Sequence, residues 1–198
     1  MAEQRGTPNG VATRLAATAV ALGTGVAVLT GCSSTTSSSQ APSTVSSAAS
    51  SSPPAEVSFN GVTLGNPTDL TAKPRAIARS ATAPTALLVK DVVAGAGAAA
   101  TPNSTVTVQY VGLRYADGKQ FDASWDHGGA ASFALQQAMP VGFRHGIGGG
   151  SGAQPMKVGS RRIMILPAAL AYGRTGTPDG SIPPNAPIVF VVDLIAVK

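Results

Sequence analysis

Cysteine is almost missing from these 198 residues, with Cys32 the only one. One thiol closes no internal disulfide and builds no metal site by itself. Histidine is nearly as scarce. His127 and His145 sit in polar or glycine-rich surroundings, and neither has a matching carboxylate or cysteine partner in the sequence. That argues against a metal centre. Charged residues make up 12% of the chain and aromatic residues 5%. The net charge is +5, but the basic residues are scattered and Arg161-Arg162 is their only adjacent pair, which argues against a nucleic-acid surface. Ser151 lies in GGSGA, where Ala153 replaces the second glycine of a nucleophile elbow, and no triad partners are evident. HGIGGGSGA (145–153) fails as a dinucleotide loop. Such a loop needs a strand before it and a helix after it, whereas Met139-Pro140-Val141-Gly142 precedes and Gln154-Pro155 follows. It reads as a flexible inserted loop.

What the chain has in quantity is small and apolar. The apolar fraction is 43%, enough for a packed core, and 23 glycines and 15 prolines make turns frequent. The length suits one domain with tails. Arg5 and Arg14 make a basic start, and Leu15 to Thr30 carries no charge. That run of 16 residues is short of the roughly 20 that span a membrane, and fits the apolar core of a secretion signal. It ends in Leu29-Thr30-Gly31-Cys32. The ending resembles the lipobox of bacterial lipoproteins, which implies a signal peptide over 1–31 and a lipidated Cys32 as the first residue after cleavage. Acyl chains there would hold the protein at a membrane, at about 0.8 kcal/mol per buried methylene.

The segment 32–55 is SSTTSSSQAPSTVSSAASSSPPA after the cysteine, without charge or aromatic residue. It cannot bury enough surface to fold, and reads as a disordered tether reaching roughly 25 Å. Residues 56–84 form an extension. VSFNGVTLG alternates as one strand or a hairpin, and KPRAIARSATAP reads as an extended connector. Strand signals then dominate 85–198. ALLVKDVV (86–93) and STVTVQYVGLRYA (104–116) come first, the latter with Val106, Val108 and Tyr110 on one face. A hairpin turn at Ala116-Asp117-Gly118-Lys119 follows, then KQFDAS, ASFALQQ and RRIMILP. PIVFVVDLIAV (187–197) puts Ile188, Phe190, Val192 and Leu194 on one face. Only 140–147 and 167–172 look helical. The pattern predicts an α+β domain, an antiparallel sheet closing over one small helix.

In order, the remaining features are VQYVG (108–112), ADGKQFDAS (116–124), SF (132–133), GF (142–143), MKVGSRR (156–162), ALAYG (169–173), IPPNAPIVF (182–190) and VDLI (192–195). Over about 112 residues, from Leu87 to Lys198, this resembles the FKBP-type peptidyl-prolyl cis-trans isomerases. The resemblance implies a twisted antiparallel β-sheet half-wrapped around one short α-helix, with an apolar pocket between them. By motif position it assigns catalysis to Tyr110, Asp122, Tyr172 and Phe190. It assigns substrate binding to Phe121, Phe133, Met139, Pro140, Phe143 and Ile182. Asp122 either holds the peptide or orients Tyr110. No metal or cofactor is implied, because rotation about an X–Pro amide breaks no bond.

The implied partners are proline-containing unfolded or exported polypeptides and macrolides, with a lipid anchor to the outer side of the cell membrane. Three departures bear on activity. Pro140 has no N–H where the family offers one to a substrate carbonyl. The segment after Ile147 is about six residues longer than usual, and the loop Thr177–Ile182 is one residue longer. They keep open an alternative, a non-catalytic chaperone or proline-peptide binding module.

Overall fold

The computed structural model describes residues 56–79, 82 and 84–198. The predicted signal peptide, the tether and Cys32 lie outside the described residues. Strands β1 (Val57–Phe59), β2 (Val62–Gly65) and β3 (Arg75–Ala78) form a small antiparallel sheet in that order. Of the two readings left open for VSFNGVTLG, one strand or a hairpin, the hairpin is the one that forms. β3 lies where an extended connector was expected, because Ala76 and Ala78 alternate inward against β2.

The larger sheet contains β4 (Leu88–Val93), β5 (Thr105–Arg114), β6 (Gln120–Ala123), β7 (Ala131–Ala134), β8 (Arg161–Leu166) and β9 (Ile188–Val197). Its order is β4-β8-β9-β5-β6, with β7 also paired to β5. Every pairing is antiparallel. The single α-helix among the described residues, α1 (Val141–Gly148), packs on one face of this sheet. It can lie close because Gly142 and Gly146 are one turn apart: a Cβ at Gly146 would overlap the Met164 sulfur. The segment 167–172 contains only a 3-10 turn, Ala168–Leu170. Two further 3-10 turns, Ser124–His127 and Leu135–Gln137, cut short the strands read from KQFDAS and ASFALQQ.

Strand periodicity divides the interior into two cores. Ile188, Phe190, Val192 and Leu194 of β9 face α1, together with Met164 and Leu166 of β8. The alternate residues Val189, Val191, Ile163 and Ile165 face the other way. There they meet Val62, Leu64 and Ala78 of the small sheet, all fully buried. β8 and most of β9 are therefore buried on both faces.

The adjacent pair Arg161-Arg162 obeys the same alternation. Arg161 points to the small sheet and is 0% exposed. Its Nε and Nη2 donate to the two oxygens of Asp193, each at 2.6 Å, and its remaining donors reach the carbonyls of Asn66, Pro67 and Ala72. All five guanidinium donors are thus used. Arg162 points to the helix side, forks onto Asp91, and donates to the carbonyls of Gly146 and Gln154 at 2.7 and 2.6 Å. It satisfies a carbonyl in the last turn of α1, where a cation also suits the helix dipole.

The inserted segment is not an open loop. Gly150 and Ala153 exchange backbone hydrogen bonds at 3.1 and 2.9 Å around Ser151 and Gly152, both at positive φ, the geometry of a two-residue hairpin. His145 Nδ1 lies 2.8 Å from Ser151 Oγ, and Met156 donates back to Ile147 at 2.8 Å.

Candidate active site

Between α1 and the concave face of the larger sheet lies an open pocket of about 340 Å³. Tyr110, Phe121, Asp122, Phe133, Gln137, Ala138, Met139, Phe143, Tyr172 and Phe190 line it. Phe190 is the third residue of β9, and Phe143 comes from the first turn of α1. Each is 4% exposed, and their ring centroids are 4.8 Å apart with an edge-on inclination. Tyr110 meets both edge-on at 6.0 Å. Phe121 meets Phe190 at 5.6 Å, and Phe133 meets Phe143 at 6.1 Å. Edge-to-face contact suits the ring quadrupoles. The result is a fixed apolar wall.

One residue behind this wall was not singled out from the sequence. Gly112, the last residue of VQYVG, lies where a Cβ would come within 2.6 Å of the Phe121 ring and 3.0 Å of the Phe190 ring. Its bare backbone lets both rings stand where they do. The only signal available was the glycine at the end of a strand motif, which also fits a plain bulge.

Tyr110, Asp122, Gln137 and Tyr172 bring polar groups into the apolar lining. The Tyr110 hydroxyl donates to Asp122 Oδ2 at 2.6 Å. The other carboxylate oxygen, Oδ1, lies 2.9 Å from His127 Nε2. Of the two roles left open for Asp122, this geometry matches orientation of Tyr110. Burial, and then the bond to Asp122, pushes the Tyr110 phenol well above its ordinary value. Burial also raises the Tyr172 phenol, with a smaller contribution from the Asp122 charge. Tyr110 and Tyr172 both stay protonated at neutral pH. Among the described residues the Tyr172 hydroxyl has no hydrogen-bond partner, so its O–H is free to donate.

The pocket gathers eight of the ten positions assigned from the motifs and adds Gln137 and Ala138. Pro140 and Ile182 are elsewhere. Pro140 is buried as the N-cap of α1, where its carbonyl accepts from Phe143 at 3.0 Å. A proline fits there because the first N–H groups of a helix have no intrahelical partner. Ile182 is 2% exposed and belongs to the core. Its loop closes on itself: Thr177 N–H donates to the Ile182 carbonyl, the Ile182 N–H donates to Thr177 Oγ1, and Ser181 binds Asp179.

His127 corrects the reading that neither histidine has a carboxylate partner. β6 runs directly into the 3-10 turn, and the turn folds His127 back beside Asp122, five residues earlier.

Comparison with known proteins completes the description. The family profile described as FKBP-type peptidyl-prolyl cis-trans isomerase matches residues 97–195. The chain is 42% identical over 114 residues to an FK506-binding protein of Streptomyces anulatus, covering 58% of this chain and 88% of that one. It is 40% identical over 116 residues to a probable FK506-binding protein of Corynebacterium glutamicum, covering 58% and 89%. Among solved structures, AtFKBP13 superposes with a TM-score of 0.54 at 31% identity, covering 59% of this chain and 97% of that one.

Proposed function

The chain belongs to the FKBP-type peptidyl-prolyl cis-trans isomerase family and is such an isomerase; on that premise we propose that its aromatic pocket works on exported polypeptides outside the cytoplasmic membrane. The reaction is rotation about an X–Pro amide, with a barrier of roughly 18–20 kcal/mol and an uncatalysed time of tens to hundreds of seconds. Halfway through, the amide is twisted and has lost resonance, so its carbonyl is less polar than in either planar state. A pocket walled by Phe121, Phe143 and Phe190 desolvates the planar amide at greater cost than the twisted one. That difference lowers the barrier. The proline ring packs on the aromatic faces. The free Tyr172 hydroxyl donates to a carbonyl of the peptide and holds it in register.

The observation that carries this reading is the combination of a closed aromatic wall with one untied hydroxyl at its edge. The same shape fits an apolar ring-containing competitor, so we infer that macrolides such as FK506 occupy it. The test is cis–trans exchange of a short X–Pro peptide followed by NMR. The chain accelerates exchange, FK506 suppresses the acceleration, and Asp122→Ala loses most of it. Exchange at only the spontaneous rate would exclude the pocket mechanism.

For location, the support is the lipobox-like Leu29-Thr30-Gly31-Cys32 after a basic start and an apolar run. Cells expressing the chain and fed labelled palmitate should place the label on the protein in the membrane fraction, and Cys32→Ala should abolish it. Label-free protein in the soluble fraction would refute the anchor.

A further inference from the structure

We propose that His127 is a positioning residue that sets the charge of the pocket through Asp122, so that catalysis depends on the protonation of its imidazole. A carboxylate is an odd group to find beside five aromatic rings whose use is to exclude water. Its two oxygens are both engaged, Oδ2 by Tyr110 and Oδ1 by His127. Tyr110 is neutral, so only His127 can balance the negative charge. As imidazolium it makes the pair neutral and its bond charge-assisted. As imidazole it leaves a net negative charge at the mouth of the pocket.

The placement of His127 is built rather than accidental. The 3-10 turn that carries it is closed by Gly128 at φ 89, whose N–H reaches the Ser124 carbonyl. The Gly129 N–H bonds the same carbonyl at 3.2 Å. The neighbouring carboxylate, Asp126, does not compete for the imidazole, because Lys73 and Gln120 each hold it at 2.7 Å. The titratable groups around His127 are therefore Asp122 on β6, Asp126 in its own turn with Lys73 behind it, and Tyr110 on β5 beyond Asp122. Across the pocket stand Tyr172 and, behind it, Asp179. Of these, Asp122 alone makes a hydrogen bond to the imidazole. His127 does not line the pocket itself, so it acts through Asp122 and touches no substrate.

The sign follows from the mechanism. The twisted amide is favoured by low polarity, so the neutral Asp122–His127 pair suits it better than the bare carboxylate. The side chain of His127 is 70% exposed. Solvent screens such a pair, which limits the effect to about twofold to fivefold in rate.

This inference rests on the pocket mechanism above, and one experiment separates the two. Exchange of a proline peptide is measured by NMR with the full-length chain, His127→Arg and His127→Ala, from about pH 5 to about pH 8, where imidazoles change charge. The wild type gains rate towards acid pH. His127→Arg keeps the high rate at every pH, and His127→Ala keeps the low one. Because the side chain is exposed, both variants fold, with urea midpoints matching the wild type. A wild-type profile as flat as that of His127→Ala, with catalysis intact, overturns the role of His127 and leaves the pocket mechanism standing. Failure of His127→Arg to hold the high rate overturns it equally. No catalysis at any pH overturns both.

Discussion

Gly112 shapes the pocket by having no side chain. Two aromatic rings occupy the space that its Cβ would need. Gly112→Ala must push the Phe121 ring outward, because Phe190 is packed against Phe143 and cannot yield. Overpacking of this kind costs about 1–3 kcal/mol. The expected result is a lower urea midpoint together with slower cis–trans exchange, since the moved ring is a wall of the pocket. Unchanged exchange in a folded Gly112→Ala protein would mean that the Phe121 wall does not contribute to catalysis. Asp122 makes the complementary point. Its side chain sits among apolar neighbours because both of its oxygens are held, by a phenol from β5 and an imidazole from its own following turn.

At the scale of elements, the segment 56–79 is part of the sheet's packing rather than an approach to it. It covers the face that α1 leaves open, with Val62 and Leu64 fully buried. Those two side chains alone contribute about 3–6 kcal/mol. The segment also supplies the three backbone carbonyls that complete the donors of Arg161. The Tyr115 hydroxyl, donating to the Asn60 carbonyl at 2.6 Å, ties its hairpin to the end of β5. Burial pushes the Asp193 carboxyl up, with Arg161 pulling the other way. Asp193→Asn leaves a buried guanidinium without its counter-charge, and is expected to destabilise the protein by about 3–5 kcal/mol. The double variant Arg161→Met with Asp193→Leu removes both charges and should recover much of that loss. Urea unfolding followed by fluorescence of Trp125, the only tryptophan, measures both. Equal destabilisation in the two variants would show that the backbone contacts, not the ion pair, are what the site needs.

For the whole molecule, stability against pH has a definite sign at each end. Hydrogen bonds hold several exposed carboxyls below their ordinary range: Thr71 for Asp69, Arg114 for Asp117, Lys73 for Asp126 and Thr177 for Asp179. A lowered folded value means that the unfolded chain binds protons first. The contribution is therefore present above about pH 4 and is lost as the pH falls further. Asp193 opposes this trend, since its value is raised. At the alkaline end the folded protein keeps the Tyr110 and Tyr172 phenols protonated, so stability falls as the pH rises above about 10. Urea midpoints across the pH range should form a plateau that drops at both ends. A midpoint that rises as the pH falls towards about pH 4 would show that Asp193 outweighs the four exposed carboxyls.

Much of this was legible in one dimension. Alternation along β5 and β9 identified their buried faces, because a strand turns successive side chains to opposite sides. Motif order pointed to the aromatic residues of the pocket, because residues that share one substrate keep their chemistry and order. The same sequence determined what Pro140 lacks, an N–H, whatever its surroundings. Other features depended on contacts between residues far apart. Nothing near Arg161 in sequence says that carbonyls about 90 residues earlier will complete its donors. Nothing in the composition of 145–153 distinguishes a slack loop from a hairpin anchored by Arg162 and His145. The placement of His127 against Asp122 needed the backbone to turn back through a 3-10 turn. Side-chain chemistry and periodicity are properties of the chain itself, whereas the partner of a buried charge is decided only when distant segments are brought together.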